Sequence, residues 1–409
     1  MIDFELSPEV ERNRQMIHMV AEQAMRPIAR EYDEREHEKP WDFLNMMWSA
    51  SQGSPVVFGG DKEKDKEKKS EPSFRHLLSA VTIEELSWGD AGLYLSIPNP
   101  GLGGAAVAAA GTPEQRQRFL ARFKSGEPKW GAMAITEPGC GSDSAAITTT
   151  AVRDGDHWVL NGTKIFVTSG LMAAEKSDGF VVVWATVDKA AGRGGIKAFV
   201  VERGTPGMTV TKVEKKMGIR ASDTAMIVFE DCRIPADNLL GSAEVKKTTE
   251  GFKGVMATFD ATRPAVAASA IGIGRAAVDF VREALAKAGI KIRYEVAATR
   301  LTTIERDFME MEANLQAARL LTWRAAWMMD QGLQNNLEAS MCKAKAGLAV
   351  THVTQKAVEL LGPLGYSRKL MLEKWMRDAK INDIFEGTQQ INLMIIARRI
   401  LGYSSKELN

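Results

Sequence analysis

The feature that most limits the fold is a double change of period along the chain. Residues 7–126 carry apolar side chains at helical spacing, residues 130–235 read as short β-rich runs of period two, and residues 251–401 return to helical spacing. Helices at both ends with strands only in the middle exclude a sheet built by regular strand–helix alternation. Ser7-Pro8 supplies a helix cap with proline in the first turn, and apolar spacing continues over 10–32. Thr112-Pro113-Glu114-Gln115 opens another helix and Ser125-Gly126-Glu127-Pro128 closes it. The stretch 101–111, made of small residues, predicts a tightly packed helix or loop. Strands are predicted at 148–153, 157–160, 164–168, 180–187, 197–202, 208–213 and 225–229, with Asp154-Gly155 and Asn161-Gly162 as hairpin turns. Such strands suggest a sandwich or small barrel inside an α+β molecule. In the last zone, helix breaks are expected near 287–289 and 362–365.

A chain of 409 residues is too long for one simple core, and the period changes divide it at 1–127, 128–242 and 243–409. With 53 basic and 52 acidic residues the net charge is +1, which argues against nucleic acid as the main partner. The three cysteines, Cys140, Cys232 and Cys342, have no zinc-type spacing, so no metal is expected. Their small, odd number suits a reducing compartment, and a cytoplasmic protein is predicted. Met1-Ile2-Asp3-Phe4-Glu5 lacks the basic start of a signal peptide, and no uninterrupted apolar run reaches ~18–20 residues, so no membrane span is expected. Residues 61–69, with alternating charges, read as a solvated, mobile loop.

Chemistry concentrates in a few segments. In 377–392, Glu386 stands between Phe385 and Gly387. An aromatic neighbour can desolvate a carboxylate and raise its pKa toward that of a general base. Glycine leaves backbone N–H groups open to a ligand. The alternative is a helix end, with Gly387 as its left-handed residue and Glu386 merely solvated. A second segment, Thr136-Glu137-Pro138-Gly139-Cys140-Gly141-Ser142-Asp143, combines hydroxyls with glycines that let backbone approach a planar ring or a phosphate. Gly272-Ile273-Gly274-Arg275-Ala276-Ala277 fits a loose GxGxxA dinucleotide pattern but sits in a helical run with no preceding strand, which favours helix packing. His18, His37, His76, His157 and His352 form no constellation and are assigned structural roles.

Taken together, 136–143, which matches a TEPGxGSD pattern, and 377–392 resemble the acyl-CoA dehydrogenase family, flavoproteins that desaturate acyl-CoA thioesters. The resemblance runs over nearly the whole chain. It implies an N-terminal helical domain, a middle β-barrel or sandwich domain and a C-terminal four-helix bundle. It further implies FAD between the middle and C-terminal domains of a homotetramer arranged as a dimer of dimers. Lys164-Ile165-Phe166-Val167-Thr168-Ser169-Gly170 is similar to the family's next flavin motif, with Phe166 where tryptophan is usual. By the same resemblance FAD would be contacted by Met133, Ile135, Thr136, Gly141, Ser142, Phe166, Thr168, Ile381, Thr388 and Gln390. Lys291, Arg293 and Tyr294 align with a turn that reaches a neighbouring subunit's FAD, and Glu359, before Gly362, replaces a common glutamine. Substrate contacts would come from Ser142, Asp260, Arg263, Glu386 and Gly387. Some members carry their catalytic glutamate where this chain has Thr262, which leaves Glu386 as the base. Its backbone N–H and the ribityl 2′-OH of FAD would polarise the thioester carbonyl, the product would be a trans-2-enoyl-CoA, and electrons would pass to an electron-transfer flavoprotein. The rivals are an acyl-CoA oxidase using oxygen, a nitroalkane-oxidase-like member, which would need aspartate as base, and a non-catalytic scaffold on the same fold. An unfunctionalised short or medium acyl chain is the expected substrate.

Overall fold

The computed structural model describes residues 5–52, 74–245, 250–403 and Glu407, so the charged run 61–69 lies outside the described residues. Helices α1 (Pro8–Val20) and α2 (Arg26–Glu34) form the run expected over 10–32, joined through a π-helical turn at Ala21–Met25. Ser7 Oγ accepts from the Val10 N–H, and Pro8 sits in the first turn. Then come α3 (Trp41–Ser51), α4 (Arg75–Ser96), α5 (Gly101–Ala110) and α6 (Pro113–Leu120). Thr112 and Gln115 cap α6 reciprocally. Helix α4 kinks at Asp90, whose Oδ1 accepts from the Leu93 N–H at 2.8 Å and caps the second half.

The middle zone is a seven-stranded sheet of β1 (Gly131–Ala134), β2 (Thr150–Asp154), β3 (His157–Thr168), β4 (Phe180–Thr186), β5 (Ile196–Glu202), β6 (Met208–Val213) and β7 (Thr224–Pro235). The order is β1-β4-β2-β3-β7-β6, with β5 on the other edge of β4, and the sheet curls. Asp154-Gly155 turns the β2–β3 hairpin as expected, with Gly155 at φ 57°. Asn161-Gly162 does not turn. It lies inside β3, at a register shift against β7, so the two strands predicted at 157–160 and 164–168 are one. A Cβ on Gly162 would meet the Thr149 side chain, so this glycine serves a close approach within the sheet. Strand β1 falls in the β zone but outside the predicted strand bounds: it is four residues long and buried throughout, which leaves no alternation to read.

The C-terminal zone contains α7 (Glu250–Lys287), α8 (Thr303–Asp330), α9 (Asn336–Leu361), α10 (Pro363–Tyr366), α11 (Leu372–Ala379) and α12 (Gln389–Leu401). Both expected breaks occur, with Gly289 at φ 75° and Gly362 at φ 54°. A third falls between α8 and α9. Ile271, Phe308, Val350 and Trp375 belong to one core shared by α7, α8, α9 and α11. A Cβ at Gly272 would meet the α4 backbone at Glu84, and one at Gly274 would come within 2.7 Å of Leu315, so the GxGxxA pattern is helix packing. Residues Gly254–Lys287 of α7 are long and apolar enough to cross a membrane by length and composition, although no unbroken apolar run had been expected to reach that length. In this fold 72% of its most apolar window is buried against protein.

Contacts between the zones fix the functional segments. Phe259 of α7 packs on the core that holds Met133 and Ile135. Lys374 of α11 is fully buried between Asp90 of α4 and Asp378, while Asp378 Oδ1 accepts from the Ile219 N–H at 2.6 Å. The start of the Glu386 segment is therefore tied to both other zones.

Candidate active site

After α11 the chain makes a 3₁₀ turn at Lys380–Asp383 and then leaves helical geometry. Glu386 has φ 56° and Gly387 φ 88°, and Thr388 then caps α12 by accepting from the Ile391 N–H. Left-handed backbone at a non-glycine residue costs about 1–2 kcal/mol, so surrounding contacts must hold it. The Gly387 carbonyl accepts from Lys343 Nζ of α9 at 2.6 Å and from Asn392 Nδ2 of α12 at 2.9 Å. Glu386 Oε2 accepts from Thr262 Oγ1 of α7 at 2.7 Å. Burial raises the Glu386 pKa above the ordinary carboxylate value, while the Thr262 hydroxyl and the charges of Arg263 and Lys343 pull it down. Among the described residues, no acceptor takes the backbone N–H of Glu386. Gly387 is left-handed, as a helix-ending glycine would be, but it precedes a helix and the carboxylate beside it is desolvated.

Arg263 is 2% exposed, and its guanidinium donates to Asp260 Oδ1 at 2.7 Å. Burial raises the Asp260 pKa, and Arg263 and Arg399 oppose that rise. The guanidinium reaches the loop: a Cβ on Gly387 would lie 3.8 Å from Arg263 Nη2. Structure thus brings Asp260, Thr262, Arg263, Glu386 and Gly387 together from α7 and the α11–α12 connection.

A second group forms a shelf at the start of the sheet. Ile165 N–H donates to the Thr136 carbonyl at 2.9 Å, and Lys164 Nζ donates to the Ile135 carbonyl at 3.0 Å and to Glu137 Oε1 at 2.8 Å. Glu137 also accepts from the N–H and the hydroxyl of both Thr148 and Thr149. Burial disfavours its charge, but Lys164, Thr148 and Thr149 outweigh that and lower its pKa to about 2. This ion pair locks segments 136–143 and 164–170 side by side. Met133 and Ile135 point into the core, whereas Gly141 and Ser142 are exposed. Phe166 is 61% exposed at φ 57°, where β3 shifts register against β7, and Thr168 ends that strand half-buried.

The predicted contacts in the α7–α8 connection and at the end of α9 lie apart. Lys291, Arg293 and Tyr294 are exposed in the α7–α8 connection. Arg293 donates to Glu305 at 2.6 Å, and Tyr294 donates to Glu312 at 2.7 Å. Glu359 pairs with Lys356 at 2.7 Å, three residues before Gly362. Ile381 packs on the C-terminal core, the Thr388 hydroxyl is occupied as a helix cap, and Gln390 is exposed.

Sequence reasoning did not find Lys343, Asn392 or the Glu137–Lys164 pair. One signal for Lys343 was present. It stands at helical spacing with Ala339, Ala346 and Val350, which are all buried, so a charge lay on an apolar face.

Comparison with known proteins places the whole chain in one family. Residues 7–127, 132–232 and 249–401 match family models described as the acyl-CoA dehydrogenase N-terminal, middle and C-terminal domains. The chain belongs to the acyl-CoA dehydrogenase family. It is 38% identical over 390 residues to the mitochondrial short-chain specific acyl-CoA dehydrogenase of Bos taurus, covering 95% of this chain and 89% of that one. The fold superposes on butyryl-CoA dehydrogenase from Megasphaera elsdenii with a TM-score of 0.84 at 31% identity, covering 98% of this chain and all of the other. A chain from a structure described as an electron transferring flavoprotein of Acidaminococcus fermentans gives a TM-score of 0.83 at 32% identity, with the same coverage.

Proposed function

We propose that the protein is an FAD-dependent acyl-CoA dehydrogenase that converts a short or medium acyl-CoA to its trans-2-enoyl-CoA and hands electrons to an electron-transfer flavoprotein. The observation that carries this reading is the Glu386 carboxylate, desolvated, hydrogen-bonded to Thr262 and held on left-handed backbone. A carboxylate so placed can remove the α proton of a thioester. The free backbone N–H of Glu386 can hydrogen-bond the thioester carbonyl and stabilise the charge that develops there.

The sheet shelf fits an isoalloxazine ring. Exposed Phe166 offers a face for stacking, Thr136, Ser142 and Thr168 offer hydroxyls, and a Cβ at Gly141 would meet nothing closer than Thr136 at 4.0 Å. Bound there, FAD would supply the acceptor for the substrate's β hydride. Lys291, Arg293, Tyr294, Glu359 and Gly362 are assigned, from the resemblance, to the cofactor contacts made between subunits of a homotetramer. Met133, Ile135, Ile381, Thr388 and Gln390 complete the contacts assigned to the cofactor, and Ser142, Asp260, Arg263 and Gly387 those assigned to substrate. Domain limits at 1–127, 128–242 and 243–409 are supported by the spans of the three family matches. A soluble cytoplasmic location is inferred.

The test is Glu386→Gln. The variant should fold, keep its flavin and bind acyl-CoA, while rapid-mixing flavin reduction slows by at least the ~10²–10⁴-fold assigned to general-base catalysis. Reduction at the wild-type rate would remove Glu386 as the base. Supplying oxygen or electron-transfer flavoprotein to the reduced enzyme separates oxidase from dehydrogenase.

A further inference from the structure

Among the described residues, two of the buried lysines are paired with carboxylates and two, Lys129 and Lys343, donate to backbone carbonyls. Lys164 meets Glu137, and Lys374 meets Asp90 and Asp378. Lys343 is buried as deeply, at 1% exposure, yet no carboxylate lies within ion-pair distance among the described residues. Its recorded partner is a neutral group, the Gly387 carbonyl. An ammonium removed from water without a counter-ion is costly, and such an arrangement suits a functional demand better than a structural one.

We propose that Lys343 is a positioning residue for the reacting loop: its ammonium clamps the Gly387 carbonyl and supplies positive charge that favours the carboxylate form of Glu386. This rests on the reading of Glu386 as the base. The clamp acts where the backbone is strained, one peptide from Glu386. Asn392 bonds the same carbonyl from α12, so that oxygen stays satisfied when the lysine is replaced and the charge can be removed by itself.

The charged groups around the pair come from three elements. Arg263 faces it from α7, where Asp260 holds the guanidinium, Asp383 faces it from the loop, and Arg399 of α12 acts on Asp260. Burial lowers the Lys343 pKa to about 8, with Glu386 and Asp383 opposing the fall and Arg263 adding to it. Lys343 is therefore mostly protonated at neutral pH. Arg263, bonded to Asp260, supplies the larger positive charge to Glu386, and Lys343 adds to it.

Two readouts on the flavin-loaded protein test the proposal. Infrared difference spectra between wild type and Glu386→Gln isolate the Glu386 carboxylic-acid band, whose disappearance with pH gives its midpoint directly. In Lys343→Met that midpoint should rise by about one pH unit, the lower end of the effect of a nearby opposite charge. The acidic limb of flavin reduction should rise with it, and Lys343→Arg should return both toward wild type. Lys343→Gln keeps a donor for the carbonyl without the charge; it should move the midpoint as Met does and serves if the Met variant fails to fold. An unmoved midpoint in a folded Met or Gln variant overturns the proposal while leaving Glu386 as the base. Wild-type flavin reduction by Glu386→Gln overturns the base and with it this role for Lys343.

Discussion

Two adjacent residues, Glu386 and Gly387, share left-handed backbone, and only one of them is a glycine. Strain at Glu386 is tolerated because its side chain is bonded to Thr262 and the next carbonyl to Lys343 and Asn392. Because burial raises the Glu386 pKa and the base acts deprotonated, flavin reduction should rise with pH through a midpoint above the ordinary 4.5. A pH series of single-turnover reduction checks this, and a midpoint at or below 4.5 would contradict it. Gly387→Ala meets φ 88° and places a methyl 3.2 Å from Asn392 Nδ2. It should lose about 1–2 kcal/mol in urea unfolding, and flavin reduction should fall well over tenfold as the loop shifts.

At the scale of elements, buried ion pairs do the joining. Glu137 and Lys164 couple the loop after β1 to β3. The Glu137 pKa falls from 4.5 to about 2, so the stability it contributes, about 3 kcal/mol, is complete above pH 4.5 and lost as pH drops toward 2. Glu137→Gln should lose that acid dependence and release flavin more readily, as read by unfolding and cofactor retention between pH 5 and 3. Lys374 holds α4 to α11 between Asp90 and Asp378. Removing it leaves two buried carboxylates without a counter-ion, so Lys374→Met should cost about 3–5 kcal/mol in chemical denaturation. The variant should also reduce flavin more slowly, because α11 leads directly into the Glu386 loop.

For the whole molecule, the C-terminal helices and the sheet carry the proposed site, and α12 leaves apolar surface uncovered. Leu393, Met394, Ile400 and Leu401 are each more than half exposed. A stretch of this kind supports burial between subunits. Light scattering should give a mass near four chains, and denaturation should release FAD and no other flavin. A flavin-loaded, active monomer would contradict the cross-subunit placement of Lys291, Arg293 and Tyr294.

Much of the architecture was legible because period is local. Ser7-Pro8, Thr112–Gln115 and Asp154-Gly155 act within a few residues, so their caps and turn could be read directly. Asn161-Gly162 misled because a close approach to Thr149 and a hairpin turn both call for glycine, and the chain alone does not separate them. Glu386 could be singled out from its neighbours and from a family pattern. Its charge state could not. That depends on Thr262, 124 residues away, and on Lys343, bonded to the loop across 44 residues. The order of residues was enough to mark the helical and β zones and to single out the carboxylate that could serve as base. Tertiary structure alone decided how dry that carboxylate is and which charges face it, because desolvation and Coulomb interaction follow distance in space rather than position along the chain.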